Sequence, residues 1–412
     1  MSPLTVGMPP TVLVSGASVA GPTLAFWLAR AGYAVTVVER TDGLREEGQN
    51  VDVRGAAREV LRRMGLEDAA LAATTGEQGT AFVDDRGRDI AAFPAGTDDT
   101  SGPTAELEIL RGRLGQLLFD ATEHDVEYRF GDQVRGLDQD ANGVDVTFAS
   151  GAQERFDLVV LAEGVNSRTR ALAFPEARKQ HLGMVIAYLT IPRQDDDTDW
   201  WRWYVAGRGR GVSLRPDDVG TIRAAVNLMT DTRGLDELDS AGQATVLRRA
   251  FQDVPWGAPR ILDALADGAP FYFEDLAQMH LPSWSAGRIA LVGDAAWCAT
   301  PVSGIGTTLA LSGAYTLAAS LAATPDHRAG LADFEQRMRP FVAKAQSLPP
   351  GTPGLANPRT DRGRALLWAA LRLAASRPAQ RVGGLVGGAL GSFGRPPADA
   401  YRLPEAPSAV AD

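Results

Sequence analysis

Two glycines and a carboxylate, Gly16, Gly21 and Glu39, stand at the spacing a dinucleotide-binding turn requires. The run Gly16-Ala-Ser18-Val-Ala20-Gly21 falls where a short apolar stretch, TVLVS, gives way to a longer apolar one. Such a turn needs a sharp bend, close approach of backbone to a pyrophosphate, and a helix N-terminus whose free N–H groups face the phosphates. Ser18 holds the middle position, where glycine is usual. Glu39 follows about 20 residues on, where a carboxylate accepts ribose hydroxyls, with Arg40 next to it. A rival reading takes Gly16-x-Ser18-x-Ala20 as a hydrolase nucleophile elbow. That elbow needs an acid and a histidine downstream, and neither His280 nor His327 has the setting for it.

Asp294 is the second candidate. It is the only charged residue between Arg288 and Asp326, and it ends the apolar run IALVG. A carboxylate buried there must accept hydrogen bonds, since an unpaired one costs several kcal/mol. A polyhydroxyl chain such as the ribityl of a flavin offers the donors. Pro301-Val-Ser-Gly304-Ile305-Gly306 then leads into a helix-like run, whose N-terminal N–H groups favour negative charge such as that of a reduced flavin ring. A plain glycine loop before a core helix is the alternative. A third run, Asp157-Leu-Val-Val-Leu-Ala-Glu163-Gly164-Val-Asn-Ser167-Arg-Thr-Arg170, delivers an acid and a glycine to the end of an apolar strand, where ligands of open α/β sheets bind.

The elements that must position these residues follow from periodicity. Thr11 to Ser15, Val19 to Ala31 and Ala34 to Glu39 read as a βαβ unit. Ala56 to Gly65 and Leu110 to Glu123 read as amphipathic helices, and Phe156 to Ala162 and Ile289 to Gly293 as buried strands. From Val185 to Asn227 the chain alternates and is rich in Trp, Tyr and Val, which predicts an antiparallel sheet with a hairpin at Gly207 to Gly211. Ser347 to Pro358 reads as a Pro/Gly linker. Arg364 to Arg381 reads as a helix, docked on the protein or lying on a membrane surface, and Gly383 to Gly388 as a glycine-rich tail.

Composition excludes several classes. The chain has 412 residues and a formal net charge of -10, which argues against nucleic acid as a partner. The single cysteine, Cys298, allows no intrachain disulfide. His124, His181, His280 and His327 match no metal-ligand spacing, so a cytoplasmic, metal-free protein is expected. The uncharged runs Thr11 to Ala29 and Ala295 to Pro325 are broken by Gly and Pro, and read as core and not as membrane spans.

The three motifs, in this order, resemble those of the class A flavoprotein monooxygenases over roughly residues 10–345. The resemblance implies an α/β fold: a Rossmann-like FAD-binding domain (1–75, 106–176 and 281–345) interleaved with a β-rich substrate domain (76–105 and 177–280). A C-terminal linker and helix (346–412) complete it. It also implies FAD as cofactor, NADPH or NADH as co-substrate, and oxygenation of an aromatic or polycyclic small molecule by O2 through a flavin C4a-hydroperoxide. Arg111 matches the family's FAD-contacting arginine, and Gly48 to Gly55 the loop beside the flavin ring. Because the flavin performs the chemistry, no catalytic side chain is nominated. Trp203, Tyr204, Arg215, Asn227, Phe273 and Trp297 are the expected substrate contacts. The sequence departs from the family at Ser18 for glycine, Glu163 for aspartate and Trp297 for histidine. A flavin halogenase, a flavin reductase and a non-catalytic flavin-binding protein are the competing functions.

Overall fold

A computed structural model describes residues 8–45, 48–95, 105–376 and 401–407. A six-stranded sheet runs in the order Ser285–Ala286, Ile289–Leu291, Leu158–Leu161, Thr11–Ser15, Ala34–Glu39, Glu127–Phe130. All its pairings are parallel except that between the first two strands. The central strands carry apolar residues at nearly every position because both faces of a parallel sheet are covered. Val12, Leu13, Val14, Val37, Val159 and Leu161 are all buried. The helices Ala20–Arg30 and Gly306–Ala322 pack together in the same core.

The strand predicted over Phe156 to Ala162 is divided in two. Gln153–Phe156 belongs to a separate antiparallel three-stranded sheet with Val134–Gln139 and Val144–Phe148. Leu158–Leu161 belongs to the parallel sheet. At the break, Asp157 Oδ2 accepts hydrogen bonds from Thr11 N (2.7 Å) and Thr11 Oγ1 (2.9 Å). This carboxylate fixes the register of the two central strands.

A seven-stranded sheet forms the second unit, in the order Phe271–His280, Arg178–Pro192, Thr221–Met229, Arg210–Pro216, Trp201–Gly207, Gly79–Val83, Asp89–Pro94. It is antiparallel apart from Trp201–Gly207 against Gly79–Val83. The predicted hairpin is present, with positive φ at Gly207, Arg208 and Gly209. Strand alternation gives the sheet two faces. One carries Val185, Ala187, Tyr204, Val212, Leu214, Val226 and Phe273, packed on the helices Ser240–Phe251 and Ala258–Ala266. The other carries Met184, Ile186 and Leu276, and receives Val302 from the loop after Asp294. That contact sets this face against the Pro301–Ser303 turn, which follows the last parallel strand of the six-stranded sheet.

The helix predicted from Arg364 spans Asp361–Ala374, started by Thr360, whose side chain accepts from Gly363 N at 3.1 Å. It docks on the seven-stranded sheet through Trp368. Arg377, Arg381 and the glycine-rich run 383–388 lie outside the described residues. Among the described residues, no helix is long and apolar enough to cross a membrane.

Candidate functional site

The first loop tolerates no side chain at its two glycines. Gly16 has φ +111°, and a Cβ there would lie 2.6 Å from Ala162 O. A Cβ on Gly21 would lie 1.9 Å from Gly16 O. Gly16 N donates to Val38 O at 2.8 Å, so the turn is pinned between both neighbouring strands. Ala20 opens the helix Ala20–Arg30, which has no side-chain cap, leaving its first N–H groups available to an anion. Ser18, at the middle position, is exposed. Glu39 leans back over the loop: Oε2 accepts from Ala17 N (3.0 Å), and Oε1 from Thr41 N (3.2 Å) and Thr41 Oγ1 (3.0 Å). Arg40 is exposed beside it.

The second motif lies against the first. Gly293, at φ +66°, would carry a Cβ 3.1 Å from Ala20 Cβ, so the Gly293-Asp294 turn abuts the start of the first helix. The structure corrects the expectation that Asp294 is buried. Its side chain is solvent-accessible, although protein crowds it on every side, as on the floor of a cleft. That confinement raises its pKa, while the Arg111 guanidinium and the Cys298 thiol favour the charged form. Thr300 holds a positive φ of 80°, a strained conformation for a β-branched residue. It leads into the Pro301–Ser303 turn, then Gly304 at φ +67°, buried Ile305 and Gly306. Gly306 starts the helix Gly306–Ala322, which also lacks a side-chain cap.

The third motif braces the other two. Glu163 Oε1 accepts from Ser15 Oγ (2.5 Å) and Oε2 from Ser167 Oγ (2.6 Å), while Gly164 turns with φ +81°. The buried Arg170 donates to Ala295 O (3.0 Å) and Val165 O (2.9 Å), tying this loop to the helix that Asp294 begins. Arg111 opens the helix Arg111–Asp120, and its N–H donates to Gln49 O at 2.9 Å. The 48–55 loop is joined to the Gly306 helix through Arg54 N and Thr308 Oγ1 at 3.2 Å. The stretches that carry Gly16, Glu39, Arg111, Gly164, Asp294 and Gly306 are thus joined by direct contacts around the Gly16 turn and the Asp294 turn.

Three of the expected substrate contacts are placed elsewhere. Tyr204 and Phe273 point to the opposite face of the sheet, into the core beneath the helices. A step of one residue along a strand reverses the face. Trp297 is 1% exposed, edge-to-face on Trp284 at 4.6 Å. It fits because Gly313 lacks a Cβ, which would sit 2.5 Å from its ring. Trp203, Arg215 and Asn227 do lie on the cleft-side face. Of these, Asn227 hydrogen-bonds Asn357, tying the C-terminal linker to the sheet.

Arg215 enters a buried charge cluster where the two units meet. It reaches Glu77 (2.6 Å), Glu108 (2.6 Å) and Asp52 (3.8 Å), and Arg54 holds Asp52 at 2.9 Å. Burial pushes the Glu108 carboxyl up to about 8; Arg215 opposes the shift, and Glu77 and Asp52 add to it. Trp203 stacks on Phe82 at 6.0 Å, beside Trp201. The residues that the sequence reading missed are Tyr188, Tyr272 and Glu274. They share the cleft-side face with Ile186 and Leu276 by register. Their signal was the alternation Tyr272-x-Glu274-x-Leu276, whose face no local feature specifies.

The sequence matches the FAD binding domain family over residues 10–347. It is 36% identical over 379 residues to monooxygenase CTB7 of Cercospora beticola, covering 86% of this chain and 90% of the relative. It is 37% identical over 374 residues to flavin-dependent monooxygenase eupH of Phoma sp, covering 82% and 85%. The crystal structure of tetracycline destructase Tet(51) superposes with a TM-score of 0.78 at 28% identity, covering 97% of this chain and all of that one. Fold, cleft and relatives define an oxidoreductase class whose cofactor is FAD. The chain belongs to the FAD-binding family of flavin-dependent monooxygenases, class A.

Proposed function

We propose that this monooxygenase uses NADPH or NADH with O2 to place one oxygen atom in an aromatic or polycyclic small molecule. The observation that carries this reading is the sheet face opposite Asp294. It is an apolar and aromatic wall of Ile186, Tyr188, Tyr272 and Leu276, touched by the Pro301–Ser303 loop. Such a wall suits a flat apolar guest and keeps water from a reactive centre. The structural likeness to a tetracycline destructase supports a multi-ring substrate.

The residues fit FAD. The side-chain-free turn at Gly16 and Gly21, with the uncapped helix behind it, takes the pyrophosphate. Glu39 takes the ribose hydroxyls, and Asp294, open to the cleft, takes the ribityl chain. The uncapped start of the Gly306 helix, beside Pro301, Gly304 and Ile305, stabilises negative charge on the ring. Arg111 adds positive charge near Asp294. Ser18, Glu163 and Gly164 shape the phosphate loop and its bracing, and Arg40 flanks the ribose acid. When held by these residues, FAD would supply the redox chemistry that links a nicotinamide to O2.

The test is NADPH and NADH oxidation by FAD-loaded protein, alone and with a panel of hydroxylated polycyclic aromatics. A slow basal rate that rises several-fold with one of them is expected. A rate unmoved by any aromatic guest would count against the reading.

A further inference from the structure

Glu274 stands alone on the cleft-side wall. It lies on the strand Phe271–His280, opposite Ile186, between Tyr272 and Leu276 on the same face. Leu276 packs in the cluster that includes Val302, from the loop after Asp294, so this face looks into the cleft. Tyr188 and Tyr272 stack in parallel beside it, with ring centroids 6.4 Å apart. Among the described residues, the Glu274 carboxylate has no hydrogen bond and no ion pair. The other charges nearby are already committed. Asp275, its neighbour in sequence, faces the other way and meets His181 Nδ1 at 2.7 Å. Lys179 Nζ is shared by Asn166 and Asp236, each at 3.2 Å. The charges of Asp294 and Arg111 also act on Glu274. Burial raises its carboxyl to about 7; Asp294 adds to the shift, while Lys179 and Arg111 oppose it.

The half-buried Glu274 carboxylate has no partner in the chain among the described residues, and partial desolvation disfavours its charge. It becomes favourable once a ligand brings a donor. We propose that Glu274 recognises a phenolic hydroxyl of the substrate and acts as its general base. This rests on reading the cleft-side wall as the substrate wall. Oxygen delivered to an aromatic ring is attacked by the ring's own electrons, so the ring must be electron-rich. As the phenolic O–H bond breaks, the proton passes to a Glu274 Oε. The electron pair left on oxygen then enriches the ring carbons ortho and para to it. A base poised near neutrality suits that transfer. The aromatic pair Tyr188 and Tyr272 holds the ring plane beside the carboxylate.

Binding to the FAD-loaded protein, without NADPH or NADH, tests this through the flavin's visible spectrum. The probes are 2-naphthol and its methyl ether, 2-methoxynaphthalene, which lacks the donor. The parent protein is expected to prefer 2-naphthol by roughly ten- to hundredfold. The preference should be present above about pH 7 and fade below it, as the carboxylate gains its own proton. Glu274→Leu should abolish the preference. Glu274→Gln should keep a weaker, pH-independent one, and both variants should hold FAD as the parent does. A parent that does not distinguish the two probes, or a preference that survives Glu274→Leu, overturns the proposal. So does a cation, 1-naphthylmethylammonium, binding more tightly than 2-naphthol through Glu274. Because no turnover is needed, a failed oxygenation assay with an intact preference would refute the proposed function and the base step, and leave phenol recognition by Glu274 standing.

Discussion

Replacing Gly21 with alanine adds one carbon where there is no room. Its Cβ would lie 1.9 Å from Gly16 O, while real Cβ atoms stay beyond 3.0 Å. Loop and helix must therefore part by about 1 Å, in a region packed at the density of an organic crystal. Neither side yields readily. Gly16 is pressed against the Ala162 backbone and bonded to Val38 O, and the helix is buried from Ala20 to Leu28. Overpacking of this kind costs about 1–3 kcal/mol. If the strain is relieved by moving the phosphate loop, FAD affinity should fall by about five- to hundredfold. FAD fluorescence titration of the apoprotein reads the affinity, and melting with and without FAD separates lost binding from lost folding. Gly115→Ala is the control. Gly115 lies within the helix Arg111–Asp120, and a Cβ there meets nothing within 4 Å. It should raise stability by about 0.5–1 kcal/mol. A Gly21→Ala protein that binds FAD within twofold of the parent (roughly 0.4 kcal/mol) and melts at the same temperature would refute the packing argument.

Asp294→Ala should leave the fold intact, since the carboxylate is open to the cleft, and weaken FAD retention by roughly ten- to hundredfold. Dialysis followed by flavin absorbance checks it. Glu108 carries a raised pKa, so its contribution to stability is complete below the unfolded value of 4.5 and is lost as pH rises through about 8. Glu108→Gln should flatten that loss, so that melting curves of parent and variant diverge toward alkaline pH in the variant's favour. Trp368→Ala should lower the melting temperature by a few degrees, because the C-terminal helix docks through that side chain.

The parts of the site legible in the sequence are those that backbone geometry constrains. Gly16, Gly21, Gly164, Gly293 and Gly304 stand where a side chain would collide or where φ is positive, and such positions are marked by residue type alone. Strand faces were harder to read. Trp203 and Tyr204 are adjacent, equally aromatic, and point to opposite sides. Only the packing of distant helices decides which one lines the cleft. Partners far apart in sequence were also hidden: Asn227 is taken by Asn357, 130 residues on, and Arg215 by Glu77 and Glu108. Asp294 was read as buried because no charge flanks it. Its apolar flanks, Val292, Ala295 and Ala296, are buried in the core, while the carboxylate itself is left accessible.

The most direct test of the account is the fate of isotopically labelled O2. FAD-loaded protein, NADPH or NADH and an aromatic guest that accelerates cofactor oxidation would be incubated under ¹⁸O2, and the product weighed by mass spectrometry. The account predicts a product heavier by a single labelled oxygen atom, formed in step with the nicotinamide consumed. A product without label, or nicotinamide oxidised only to hydrogen peroxide with every guest, would contradict it.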